Sequence, residues 1–365
     1  MLPPFVLLAM SSSLSERWLD EGSVVYAAPK SSFSHPLVLH FDLNETILIG
    51  DEAGGDSRDE SLHKIMAKSA FVKMPAKAWE ETTQLTPTHW WNGLPIEDEY
   101  DGAVEVPKLY TGWEWPEGCC PYYRTAYKKR AKDFCDHHGS LYRPLYDQLD
   151  EKLEHILPAF FETLVALIPR QPTIVLRTFG TDLPEVARVL SDFCQGQHPD
   201  FPDVCHPEWI LRPEHLLQGK WTDDGVYELW RGAQRVASGD SEIVEYLHSC
   251  SVCGIQDDYC YWKKRSYEPW AGKPVWALPD VQHILLDDNI HNLEHDSIAG
   301  VRQQQSDGTF RRLQGKELLD QQGIHLIRVP TIAPLLRHSW FLEQIQAAQE
   351  RFISSSTESS GDAVS

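Results

Sequence analysis

Four groups of polar residues in this 365-residue chain are placed for chemistry. Asp42-Leu43-Asn44-Glu45-Thr46 ends on the apolar run Leu37 to Phe41, and Arg177-Thr178-Phe179-Gly180-Thr181 follows Thr173 to Leu176. Asp287-Asp288-Asn289 follows His283 to Leu286, with Gly272-Lys273-Pro274 standing 14 residues upstream of Asp287. Open parallel sheets bind ligands at the carboxyl ends of their strands. Carboxylates, a hydroxyl and an ammonium at those ends are groups for holding a charged ligand. With 33 Lys and Arg against 54 Asp and Glu the chain carries a formal charge of −21. Phosphate backbones and anionic membrane surfaces are therefore repelled, and an anionic ligand needs a local cation.

These groups need elements to position them. The runs before Asp42, Arg177 and Asp287, and a fourth at Ile324 to Ile327, are almost continuously apolar, as in strands covered on both faces. The expected fold is α/β, with a Rossmann-like parallel sheet flanked by helices. Leucines and other apolar residues recur at three- and four-residue intervals from Leu145 to Leu167, which predicts one long helix. A second helix is predicted from Asp182-Leu183-Pro184, with Asp182 as the cap and Pro184 in the first turn. Length suggests about two domains at roughly 150 residues each, and 42% hydrophobic residues promise a large core. The expected division is a loose segment at 1–35, a core made of 36–50 and 170–353, an insertion at 51–169 and a disordered tail at 354–365. The insertion holds Trp79, Trp90, Trp91, Trp113 and Trp115. Aromatic rings in such a Pro-rich segment are expected to build its own small core. No internal repeat or heptad is visible.

Taken in order, Asp-x-Asn-x-Thr at 42–46, a strand-terminal Thr178, Lys273-Pro274 and Asp287-Asp288 resemble the four motifs of the haloacid dehalogenase (HAD) superfamily of hydrolases and phosphotransferases. Alone, each has an ordinary reading: a turn residue, a helix cap, a solvated lysine, an acidic loop. The resemblance implies a HAD-like core with the Trp-rich segment as a cap, and a small phosphorylated molecule as substrate. It makes Asp42 the nucleophile, forming an aspartyl-phosphate. Asp42, Asp287, Asp288 and the Asn44 backbone carbonyl would hold Mg²⁺. Thr178 would hold a phosphoryl oxygen, and Lys273 would neutralise the charge of Asp42 and the transferring group.

Asn44 departs from the phosphatases of that family, which carry a second Asp there to protonate the leaving oxygen and activate water. An amide does neither, at a cost of roughly 10²- to 10⁴-fold. Glu45, His137 and His138 are candidate replacements. Two other readings stay open: a degenerate binding or regulatory protein, and a carbon–halogen hydrolase, which needs no second Asp but also needs no metal. Asp257-Asp258 is expected to cap the segment Tyr259 to Lys264, and Lys128, Lys129, Arg130 and Lys132 to form a solvated helix face. Eight scattered cysteines suit reduced thiols, with Cys250-x-x-Cys253 a weak zinc signal. The run Phe5 to Met10 is too short to span a bilayer and has no cation before it, so neither a signal peptide nor a membrane helix is expected, and the cytoplasm is the default location.

Overall fold

The computed structural model describes residues 36–50, 55–74, 84–100, 103–112, 115–152, 155–291 and 297–361. The first 35 residues, Trp79, Trp113 and Leu153 lie outside them. Strand β1 (Leu37–Asp42) opens the chain's central sheet. A small pair, β2 (Phe71–Lys73) and β3 (Cys119–Pro121), stands apart from it. The sheet then takes β4 (Thr173–Thr178), β5 (Leu216–Trp221), β6 (Tyr227–Arg231), β7 (Gln234–Ser238) and β8 (Val252–Gln256). It is completed by β9 (Lys273–Ala277), β10 (Gln282–Asp287), β11 (Ala299–Gln304), β12 (Phe310–Arg312) and β13 (Leu326–Arg328). The order is β12-β11-β9-β10-β1-β4-β8-β5-β6-β7, with β13 also on β10. The central strands β10, β1, β4, β8 and β5 pair in parallel, as does β13 with β10. The architecture is mixed α/β, with a large, mostly parallel sheet between helices.

Parallel pairing follows from burial on both faces. In β1 Leu39 and Phe41 enter one apolar cluster and Val38 the opposite one. Helices α1 (Arg58–Ser69) and α2 (Arg143–Lys152) belong to the insertion, whereas α3 (Pro158–Leu167) packs on the sheet. With it on that face lie α4 (Leu183–Cys194) and the last helix, and on the other face lie α5 (Gly239–Ser249), α6 (Tyr259–Lys264) and the short α7 (Lys316–Leu319). Then α8 (Ile332–Leu336) reaches into the insertion's cluster, and α9 (Trp340–Gly361) closes the chain. Phe41 is fully buried, with its ring edge-on to Phe160 and Phe341, so the residue next to Asp42 is anchored in the core.

Several expectations are corrected. The single helix over 145–167 is two, because Pro158 starts a new helix at its first position and has no N–H for the interior of an old one. Since α3 packs on the sheet, the insertion's own cluster draws on residues up to Leu149 and Leu157 rather than on everything to 169. The fourth strand is Leu326–Arg328, offset from Ile324 to Ile327, because Ile324 and His325 form a turn. Asp182 precedes α4, but its side chain makes no cap bond. The last helix runs on to Gly361, past the 354 boundary drawn from composition. Trp90 does sit in the insertion's core, against Tyr122, Phe134 and Tyr142. No helix among the described residues is long and apolar enough to cross a membrane.

Candidate functional site

Because β1, β4 and β10 run in the same direction in register, their ends bring Asp42, Thr178 and Asp287 to one edge. Lys273 opens β9, one strand beyond β10. Its approach depends on Gly272, where a Cβ would lie 2.0 Å from the Ile298 carbonyl oxygen. Only glycine lets β9 come that close, and the Lys273 N–H then donates to that same carbonyl at 2.8 Å.

Asp42, Lys273, Asp287 and Asp288 are all buried. Each of the three carboxyl groups offers one oxygen, and these oxygens lie within 4.8 Å of one another. The Lys273 ammonium donates to Asp42 Oδ1 and, at 2.7 Å, to Asp287 Oδ2. Thr46 ties the motif's end to its start: its hydroxyl donates to Asp42 Oδ2 at 3.0 Å and accepts the Asp288 N–H at 3.2 Å. The Asn289 N–H donates to Asp287 Oδ1 at 2.8 Å. Burial and then the Asp287 charge raise the Asp42 carboxyl to about 7, against the pull of Lys273 and Thr46. Burial raises Asp288 well above the usual carboxylate range, with Glu45 and the other two aspartates adding to the rise and Lys68 opposing it. Burial disfavours the Lys273 ammonium, but Asp287 and Asp42 override it and hold the group above its ordinary range. The cluster thus crowds carboxylates that resist ionising together. Its donors are all hard oxygens, which suit Mg²⁺ rather than a thiolate- or imidazole-seeking metal.

Thr178 and Asn44 are joined to each other. The Thr178 hydroxyl donates to Asn44 Oδ1 at 3.3 Å and accepts the Gly180 N–H at 2.8 Å. The loop after β4 is fixed by the Asp257 N–H on the Thr178 carbonyl, 2.7 Å, and by Gln256 Nε2 on the Gly180 carbonyl, 2.8 Å. Asn44 stands in a turn closed by the Thr46, Ile47 and Leu48 N–H groups, all donating to the Leu43 carbonyl.

Glu45 does not replace the missing acid. Its φ of 56° is unusual for a residue with a side chain, and its carbonyl accepts the Thr331 hydroxyl. Burial would raise its carboxyl, but Lys68 and Lys64 of α1 outweigh that and hold it at about 2, so it keeps no proton to give near neutrality. Lys68 also lies 3.4 Å from Asp288. His137 bonds Asp133, and His138 bonds Tyr122 and Arg130, all partners within the insertion.

The remaining polar groups sort as follows. Asp258 caps α6, accepting the Tyr261 N–H at 2.9 Å. Asp257 instead grips Arg177 with both oxygens, at 2.8 and 2.5 Å, with both side chains fully buried. Lys128 and Lys129 are exposed, while Lys132 pairs with Asp56 and Glu60. All eight cysteines are free, and Cys253 is buried among apolar side chains. Sequence reasoning assigned no role to Lys64, Lys68 or Thr46. Thr46 was visible as the last residue of its motif, whereas nothing in the spacing links α1 to the site. Comparison with protein-family models, with curated proteins and with solved structures returned no match to this chain.

Proposed function

We propose that the chain is a cytoplasmic, Mg²⁺-dependent hydrolase with a HAD-like core and a Trp-rich cap, acting on a phosphorylated small molecule through an aspartyl-phosphate at Asp42. One observation carries the reading: three carboxylates and one lysine, spread over the chain from 42 to 288, meet buried at the carboxyl edge of adjacent strands. So many like charges are costly to bury without a functional use.

In this reading an Asp42 oxygen attacks phosphorus, the bond from phosphorus to the leaving oxygen breaks, and water later attacks the aspartyl-phosphate to release phosphate and restore Asp42. Lys273 offsets the negative charge that Asp42 and the phosphoryl group bring together, while Thr46 fixes the orientation of Asp42. Bound by Asp42, Asp287, Asp288 and the Asn44 carbonyl, Mg²⁺ would supply Lewis-acid neutralisation of the phosphoryl oxygens. Because the Thr178 hydroxyl is engaged by Asn44 and Gly180, its contribution to phosphoryl binding includes giving up the Asn44 bond.

Neither residue of the turn after Asp42 that could serve as the acid does so, since Asn44 is an amide and Glu45 is locked as a carboxylate. The substrates that fit are those whose leaving group is already a weak base, such as an acyl phosphate or phosphate anhydride. The test compares acetyl phosphate with a plain alkyl phosphate, using wild type, Asn44→Asp and Asp42→Asn. Wild type should hydrolyse acetyl phosphate, and Asp42→Asn should lose at least about 10³-fold. Asn44→Asp should raise turnover of the alkyl phosphate by about 10²- to 10⁴-fold. If neither wild type nor Asn44→Asp exceeds the Asp42→Asn blank on either substrate, the hydrolase reading is wrong and a binding role replaces it.

A further inference from the structure

Every carboxyl oxygen of Asp42, Asp287 and Asp288 already has a donor. Lys273 reaches Asp42 Oδ1 and Asp287 Oδ2, and the Thr46 hydroxyl reaches Asp42 Oδ2. The Asn289 N–H donates to Asp287 Oδ1 and its side-chain amide to Asp288 Oδ1, both at 2.8 Å. The remaining oxygen, Asp288 Oδ2, is met by the Lys68 ammonium. Mg²⁺ draws its oxygen ligands to about 2.1 Å, so a cation entering the cluster competes with the donors in place.

Those donors differ in how readily they give way. Thr46 and Asn289 belong to the short turns after β1 and β10, and the buried Lys273 has both of its carboxylates inside the cluster. Lys68 comes from α1 of the insertion, its side chain is 31% exposed, and its 3.4 Å contact with Asp288 is the longest of the set. Its other carboxylate, Glu45, lies outside the cluster. From Glu45 the charges alternate into the insertion: Lys64 pairs with Glu45 at 2.8 Å and with Asp56 at 2.5 Å, and Lys132 pairs with Asp56. A second seat for Lys68 is therefore already built, and leaving Asp288 strands no ammonium.

We propose that Lys68 is the exchangeable ammonium of this site: it holds Asp288 until a divalent cation binds and then withdraws onto Glu45, so that a residue of the insertion sets the metal affinity of the strand ends. The proposal rests on the metal reading given above. An ammonium left beside Asp288 would stand a few ångströms from the incoming cation, where like charges repel strongly. The exchange is an equilibrium and so works in both directions. Whatever removes Lys68 from Asp288 tightens the cation, and whatever removes its seat on Glu45 loosens the cation.

The test is calorimetric titration of the full-length protein with Mg²⁺. Lys68→Met should bind Mg²⁺ about 10-fold more tightly than wild type. Lys64→Met takes the same charge from Glu45 without touching Asp288, and should tighten binding by less than about 3-fold. Glu45→Gln should weaken binding about 10-fold, because Lys68 then has Asp288 alone. Charge removal by itself gives the same two signs, so the double variant decides. In Lys68→Met/Glu45→Gln the Glu45 substitution should cost less than about 3-fold, since no lysine remains to be seated, whereas two independent charge effects would simply multiply. Should Lys68→Met fail to fold, Lys68→Gln keeps a donor for Glu45 and takes its place in the cycle. A Lys68 variant that binds no more tightly than Lys64→Met, or substitutions at 45 and 68 that multiply, overturns the proposal and leaves the metal reading standing. No Mg²⁺ binding by wild type or any variant at millimolar concentration overturns both.

Discussion

Two buried polar regions lie side by side in the sheet and solve opposite problems. At the strand ends Asp42 and Asp287 share the ammonium of Lys273, and Lys68 reaches Asp288 from the insertion. Behind them Arg177 and Asp257 are matched one to one, and the arrangement continues into a stack of histidines. The Arg177 guanidinium can only donate, so His40 Nδ1, 3.4 Å away, accepts. His40 Nε2 then donates to His283 Nδ1 at 3.1 Å, and His283 Nε2 to His248 Nε2 at 3.0 Å, reaching the surface. Every ring in that stack has a defined role as a neutral imidazole. Burial, with the neighbouring histidine and arginine charges, accordingly lowers His40 and His283 well below the usual histidine range. The stack satisfies its own groups, whereas the strand-end cluster crowds carboxyl groups that must either keep protons or take a cation from outside. Complete internal pairing suits a structural role, and the crowded cluster is the place we propose for ligand binding.

This contrast can be broken by mutation. Asp257→Ala should remove about 3–5 kcal/mol of stability, because it strands a fully buried guanidinium. Urea denaturation measures it, and a loss below about 1 kcal/mol would put the structural role of the pair in doubt. Next in size is the effect of acid. His325 sits with its Nδ1 at the His283 carbonyl, 2.7 Å, and its ring against Phe352, and burial lowers it to about 4 from an ordinary 6.5. The unfolded chain takes up that proton below about pH 6.5 while the folded chain does not until about pH 4. Stability is therefore full above that window and falls by about 3 kcal/mol across it, with His283 acting in the same direction. Unfolding at pH 7, 5.5 and 4 should show a shallower loss in His325→Asn than in wild type; equal slopes would remove His325 from the account.

The cluster responds differently. Saturating Mg²⁺ should raise the melting temperature, by the equivalent of about 2.7 kcal/mol at 100 times its dissociation constant, and Asp287→Ala/Asp288→Ala should lose that rise. A rise of the same size in the double variant would disprove the metal assignment. The smallest effect sharpens the comparison most. In metal-free protein Asp288→Asn replaces a carboxyl group that already resists ionising and should leave stability within about 1 kcal/mol of wild type, or higher, where the corresponding change in the paired region is severe.

The parts of the fold that were legible in the sequence are those where burial alone sets residue type. The runs before Asp42, Arg177 and Asp287 read as strands since both their faces are covered. Strand β9 escaped notice because it opens with Lys273 and Pro274, and β8 because Cys253-Gly254 interrupts its apolar run. The meander β5 to β7 lies at the sheet's edge, where polar residues alternate with buried ones in β5. At the site, Asp42, Lys273, Asp287 and Asp288 could be read from order and strand ends. The pairing of Asp257 with Arg177 could not, because it joins residues 80 positions apart and depends on the sheet's register. Lys64 and Lys68 were likewise hidden, since α1 gives no sign along the chain of facing Glu45.

The way Glu45 is held bears on whether this insertion can be exchanged. Its carboxylate comes from the turn after β1, its counter-charges come from α1 of the insertion, and its carbonyl is bonded by Thr331, just before α8. Ile332 and Leu335 of α8 are themselves part of the insertion's apolar cluster. Three stretches of chain are therefore riveted at one residue. Grafting in another insertion that covers Glu45 but lacks lysines at those two places would leave a buried carboxylate unpaired, at a cost of several kcal/mol. Insertion and sheet are thus committed to each other, and chimeras with foreign insertions should fold only when two cations are supplied along with the graft.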